Sequence, residues 1–343
     1  MTPYLVHSTQ HHGHTQPGHP EHASRLDAVL DRLAADPLTR AIPLHAALPA
    51  SAADALLIHT PDYLDRLATA CALGGTQLDP DTYSTAHSLD AAYHGLGAVL
   101  AATAAVTSGK AARSFALTRP PGHHALPDAS MGFCLFSNVA IAAKRALQHD
   151  AIRRVAIIDF DVHHGNGTQA ALYDEPNALF ICLHQANLWP HSGSVKETGT
   201  GRGRGATVNL PLPDGTSDAT YAAVLDRIVS PLVEGFRPDL LLVSAGFDAH
   251  WRDPLAGLQL SLAGFGDIVH RLLALADACC EGRIVFAMEG GYDLEVLSHG
   301  VTNTVRLLAD PDVVVHDPIG AVPGAERVND SLVADLAVYH NLF

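Results

Sequence analysis

The chain has 343 residues, with 21 Lys plus Arg against 36 Asp plus Glu, a formal net charge of −15 with histidine neutral. A hydrophobic content of 48% with only 17% charged residues excludes an intrinsically disordered chain, and the acidic balance argues against nucleic-acid binding through a basic surface. The 22 histidines are many for this length and direct attention to metal sites and proton transfer.

The first residues, MTPYLVHSTQHHGHTQ, hold no basic segment followed by an apolar run and do not read as a signal peptide. His7, His11, His12, His14, His19 and His22 follow at irregular spacing in a Gly/Pro-rich stretch that reads as a polar loop. A helix is predicted over 90–107. Its most apolar part, 95–106, is Ala-rich and too short to span a bilayer, so a buried helix and no membrane partner are expected. Four short apolar runs then each end in polar chemistry: 114–118 leads into Arg119-Pro120-Pro121-Gly122-His123-His124, 155–158 into Asp159-Phe160-Asp161-Val162-His163, 240–243 into Ser244-Ala245-Gly246-Phe247-Asp248, and 284–287 into Met288-Glu289-Gly290-Gly291-Tyr292. Helical stretches at 138–149, 218–233, 262–280 and 294–308 lie among them. Strands alternating with helices mean βαβ units, and near-continuous apolar strands mean a parallel sheet covered on both faces. There is no internal repeat or linker, so 1–343 reads as one catalytic domain. Cys71, Cys134, Cys182, Cys279 and Cys280 form no CxxC pair, which reads as reduced thiols in a cytoplasmic protein.

In open α/β sheets ligands bind beyond the carboxyl ends of the strands, and four strands deliver His, Asp or Tyr there. Asp159, Asp161 and His163 at i, i+2 and i+4 on a strand end would share one face. Two carboxylates and an imidazole together call for a cation or proton. One of those carboxylates, the imidazole and Asp248 would give three N/O ligands with an open fourth position, the arrangement of catalytic zinc. Ferrous iron also suits a His/Asp₂ set. His123 and His124 could divide general-base and general-acid work, each oriented through its second nitrogen, with Asp159 and Asn166 as candidate partners. Tyr292, after two glycines, could donate to a developing oxyanion. The glycine pattern at 201–206 leads into a strand-like segment rather than a helix and fails as a dinucleotide fingerprint.

The segments RPPGHH (119–124), MGFCLFSN (131–138), IIDFDVHHGNGTQ (157–169), ETGTGRGRG (197–205), SAGFDAHWRDPL (244–255) and EGGY (289–292) together resemble the histone deacetylase family of zinc amidohydrolases, which includes acetylpolyamine amidohydrolases and many bacterial deacetylase-like enzymes. The resemblance implies the arginase–deacetylase α/β fold, one parallel sheet of about eight strands between helical layers. It implies Asp161, His163 and Asp248 as zinc ligands, His123 and His124 as the catalytic pair with His124 the general base, Asp159 as partner of His123, Asn166 as partner of His124, and Tyr292 as oxyanion donor. It implies Phe133 and Trp189 as aromatic walls of an acyl-lysine tunnel, and Arg25 with Gly132 in an internal foot pocket. Asparagine at 166 is similar to the class II branch. Cys182 stands where relatives often carry a serine beside a structural potassium. A thiol is a poor ligand for that ion, which leaves potassium to backbone carbonyls.

The activity so implied is zinc-dependent removal of acetyl or other acyl groups from lysine ε-amines in proteins or peptides, with a homo-oligomer as one assembly open to the chain. An acetylpolyamine amidohydrolase is the alternative. In one polyamine-selective branch a glutamate follows the Asp-Pro pair after the third ligand, and here Leu255 follows Asp253-Pro254. A non-catalytic acyl-lysine-binding protein is a second alternative, which the full set of candidate catalytic residues disfavours.

Overall fold

A computed structural model of the protein describes residues 2–322 and 327–340. Among them are eight strands, β1 (Tyr4–His7), β2 (Leu44–Ala46), β3 (Arg113–Leu117), β4 (Val155–Asp159), β5 (Ala178–Gln185), β6 (Thr207–Leu212), β7 (Leu240–Ala245) and β8 (Ile284–Met288). They form one sheet in the order β2-β1-β3-β8-β7-β4-β5-β6, and every pairing is parallel. The expected sheet is therefore present.

Strand alternation builds two cores from continuous apolar runs. Ala156, Ile158, Leu241 and Val243 join one core with Leu272 and Val305, on the side of the helices Leu262–Cys279 and Leu294–Ala309. Val155, Ile157, Leu240 and Leu242 join the other with Val99, Ala102 and Ala143, from the helices Ser88–Thr107 and Asn138–Ala146. Each face of the sheet is thus covered, as a parallel sheet requires.

Three departures from the sequence reading have physical causes. The helix Ser88–Thr107 has 20 residues, long and apolar enough to span a membrane by composition, yet 61% of its apolar window is buried inside the protein. The helix expected over 218–233 runs as Asp218–Val224, a π-type turn Leu225–Val229, and Ser230–Phe236. Pro231 has no N–H to give the α-helical ladder, which shifts register ahead of it. The helix Ser24–Ala35, unanticipated, buries Arg25, Leu26, Val29 and Leu33 along one face.

Candidate active site

The four strands that end in chemistry are the four at the centre of the sheet, β3, β8, β7 and β4. Their register sets Ala116, Ala287, Ser244 and Asp159 level across the sheet. Beyond that line His123, Tyr292, Asp248 and Asp161 leave the same edge, which is where open parallel sheets collect ligands.

β4 ends at Asp159, so Asp161 and His163 lie in the loop beyond it and not on the strand that the sequence predicts. Carboxylates there take the amides that a strand would pair. Asp159 Oδ1 accepts from the Asp161 N–H at 3.2 Å, Asp161 Oδ1 from the His163 N–H at 3.0 Å, and Asp248 Oδ1 from the Val162 N–H at 2.9 Å. The Gly290 N–H donates to Asp161 Oδ2 at 2.8 Å. Hydrogen bonds, not strand alternation, aim the side chains.

His163 Nδ1 stands 3.2 Å from Asp161 Oδ1 and 3.2 Å from Asp248 Oδ2. Both carboxylates are fully buried. Two buried anions facing one imidazole are costly without a cation among them. Burial opposes charge on His163, but its bonds to Asp161 and Asp248 bring its pKa up to about 10, as expected where a proton substitutes for a positive ion. A Cβ at Gly290 would lie 2.1 Å from Asp248 Oδ2, so only glycine lets the β8 loop close over the pair. The three donors lie within 4.8 Å of one another, and their nitrogen and oxygen chemistry fits a divalent metal. Asp159 is outside this set.

Asp159 instead takes His123. Its Oδ2 is 3.1 Å from His123 Nδ1. Burial opposes charge on His123, but Asp161 and Asp159 raise its pKa well above the ordinary value. His124 is the opposite case. Burial, followed by the neighbouring His123 and His163, pushes its pKa well down, and its Nδ1 meets Asn166 Oδ1 at 2.7 Å. Adjacent histidines are thereby pushed in opposite directions, one toward holding a proton and the other toward releasing it.

A cavity of about 200 Å³ is lined by His124, His163, Tyr292, Gly132, Phe133, Trp189, Leu188, Leu255 and Asp81. The Trp189 ring stands edge-on to His124 at 4.7 Å, and Phe133 stands edge-on to Tyr292 at 5.7 Å. Gly132 has φ +55°, and a Cβ there would meet His124 Cδ2 at 2.4 Å and Trp189 Cη2 at 2.5 Å. Gly132 therefore belongs to the cavity wall, on the same lining as Tyr292. The Arg25 guanidinium lies 4.9 Å from the centre of the Tyr292 ring and donates to Gly291 O and Glu289 O. Its other partner, Glu21, is fully buried and also binds Arg119 through Oε1 at 2.6 Å and Oε2 at 2.9 Å. Although burial opposes it, the two guanidiniums hold the Glu21 pKa down at about 2.

Sequence reasoning missed two carboxylates that set this geometry. Asp253 accepts the Tyr292 N–H on Oδ2 at 2.8 Å and the Leu255 N–H on Oδ1 at 3.0 Å. Glu289 Oε2 accepts the N–H groups of Gly122 at 2.6 Å and His123 at 3.2 Å. Burial raises both, each to about 7. Both acids lie inside segments already flagged, 244–255 and 289–292, where the sequence reading assigned them no role. The N-terminal histidines are also more than a polar loop. His14 is buried, stacks on Tyr83 at 4.6 Å and meets Ser88 Oγ at 2.6 Å, while Arg119 donates to the His11 carbonyl. The Cys182 thiol is kept neutral by burial and accepts from the Gly165 N–H at 3.5 Å.

Residues 19–308 match the family described as histone deacetylase domain. The chain belongs to the histone deacetylase family. It is 39% identical to a histone deacetylase-like amidohydrolase of Pseudomonas aeruginosa, over 88% of this chain and 78% of that protein. It is 36% identical to a probable deacetylase of Methanothermobacter thermautotrophicus, over 98% and 99% of the two chains. It is 39% identical to the chloroplastic histone deacetylase 10 of Oryza sativa, over 88% and 72%. The crystal structure of the HDA15 HD domain superposes with a TM-score of 0.88 at 29% identity, covering 100% of this chain and 96% of that one. The sheet and its helical layers are accordingly the arginase–deacetylase architecture of histone deacetylases, and the protein is a hydrolase acting on amide bonds.

Proposed function

We propose that this histone deacetylase family member removes acyl groups, acetyl foremost, from the ε-amine of lysine in proteins or peptides, with zinc held by Asp161, His163 and Asp248. The observation that carries this reading is the cavity between Phe133 and Trp189, whose lining joins aromatic walls to His124, His163 and Tyr292. An aliphatic lysine stem suits such walls, and its amide then lies among the polar groups.

When bound, zinc polarises the amide carbonyl and lowers the pKa of its water. The chain's own groups do the rest. His124, kept neutral by burial and by the charge of the adjacent His123, takes a proton from the attacking water at Nε2 while Asn166 holds Nδ1. His123, cationic against Asp159, supplies positive charge beside the reacting atoms. The Tyr292 hydroxyl donates to the carbonyl oxygen as it gains charge. The water oxygen bonds to the carbonyl carbon, the C–N bond breaks, and the proton collected by His124 goes to the leaving nitrogen, giving a carboxylic acid and a free lysine amine.

Asp81 in the cavity lining favours one second reading, an acetylated polyamine whose distal ammonium would face a carboxylate. Leu255, an apolar residue on the same lining, weighs toward the lysine side chain. Relative kcat/KM for an acetyl-lysine peptide, longer acyl-lysines, N-acetylputrescine and acetylspermidine, each with and without chelator, tests the choice. Acetyl-lysine peptide is expected to lead, and chelator to abolish hydrolysis. Preference for either acetylated polyamine overturns the substrate assignment. In the same assay Leu255→Glu is expected to raise the polyamine-to-peptide ratio by placing a second carboxylate on the lining.

A further inference from the structure

The turn at His11–Gly13 places two consecutive histidines against the helix Ser24–Ala35. His11 Nε2 lies 2.9 Å and His12 Nε2 3.1 Å from the same atom, Asp27 Oδ1. Side chains at i and i+1 of a helical turn normally diverge, yet these two rings sit 4.2 Å apart, centre to centre. Two ring nitrogens and one carboxylate oxygen form a triangle with two edges of about 3 Å and the third within 4.8 Å. A tetrahedral zinc with bonds of about 2.0–2.1 Å needs ligand separations of about 3.3 Å, so the two edges to Asp27 need a few tenths of an ångström and the His11–His12 edge closes by rotation of the exposed His12 ring. The fourth position faces outward, because the His12 side chain is 67% exposed and Asp27 39%, while His11 at 6% anchors the inner corner.

We propose that His11, His12 and Asp27 form a second metal site, for Zn²⁺ or another divalent transition metal, distinct from the set at the strand ends. Imidazole and carboxylate donors select zinc, nickel or copper over calcium or magnesium. The site would fasten the N-terminal turn to a helix on which Arg25, two residues before Asp27, lies against Tyr292. The His11 carbonyl is already held by the buried Arg119, so one corner is fixed before metal arrives. The count of two equivalents rests on the metal set proposed for Asp161, His163 and Asp248, whereas the response to His12→Ala and Asp27→Asn reports on this site alone.

The test is a Zn²⁺ titration of full-length, chelator-stripped protein, followed by calorimetry and by metal content after desalting. Wild type is expected to bind two equivalents, the weaker one at this site. His12→Ala and, separately, Asp27→Asn should weaken that second equivalent by at least about tenfold and leave the first unchanged. His149→Ala, an exposed histidine outside the cluster, should leave both. His12 projects into solvent, so its loss should preserve folding and hydrolysis. A single equivalent in wild type, or a second equivalent bound equally by His12→Ala, overturns the proposal. So does equal weakening by His149→Ala, which would mark general surface chelation.

Discussion

Two triads of the same donor types sit in opposite surroundings. Asp161, His163 and Asp248 lie at the ends of β4 and β7 with both carboxylates fully buried, and backbone N–H groups from Val162, His163 and Gly290 hold the carboxylate oxygens. His12 and Asp27 lie at the surface with His11 buried behind them, and the hydrogen bonds found for the Asp27 carboxylate come from side chains. Residue type gives each set a capacity for metal. Burial and backbone hydrogen bonding turn that capacity into demand in the first set, because unneutralised anions cannot stay there cheaply. In the second, water can serve His12 and Asp27, so metal adds stability without being required.

That contrast predicts the largest effect. Asp161→Ala or Asp248→Ala should lose tightly bound metal and essentially all hydrolysis, because three protein ligands leave no spare. Stoichiometric metal retained in purified Asp248→Ala would erase the distinction between the two triads. A smaller effect follows at Tyr292. If its hydroxyl acts on the developing oxyanion, Tyr292→Phe should lower kcat by roughly 10²–10³ with KM and metal content little changed. A near-wild-type kcat would reduce the tyrosine to packing against Phe133 and Arg25.

The smallest expected effect probes how burial acts on an acid that binds no metal. The Glu289 carboxyl, raised to about 7 chiefly by burial, holds its proton in the folded protein while the unfolded chain releases it above the ordinary glutamate range near 4.5. Between those values the unfolded state binds fewer protons, so this group's stability contribution is full below the unfolded pKa and is lost as pH rises toward 7. Glu289→Gln cannot titrate and should flatten that part of the decline, changing the Tm difference between pH 5 and pH 8 by a few degrees. Parallel wild-type and variant curves would show that Glu289 is ionised in the native protein throughout.

The site was legible because its residues lie in short segments directly after four apolar strands, where one rule about strand ends brings them together. His123, His124, Asp159, Asn166 and Tyr292 each stand within about eight residues of such an end. The N-terminal histidines were not legible for a matching reason. Their partners Asp27, Tyr83, Ser88 and Arg119 come from separate elements, and no local pattern announces them. Asp253 and Glu289 escaped because they act on backbone amides, which carry no residue signature. The sheet order placed the four strands together, and the sequence showed only that they shared a direction.

Asp253 has an implication for altering this enzyme. One carboxylate grips the main chain at Tyr292 with one oxygen and at Leu255 with the other. The residue that would choose among substrates and the residue that would speed their conversion are therefore two ends of a single strut. Remodelling the 255 loop to admit a new acyl donor pulls on the phenol as well. Selectivity and turnover should then drift together across a library of loop variants, and second-site changes that recover speed should cluster around Asp253.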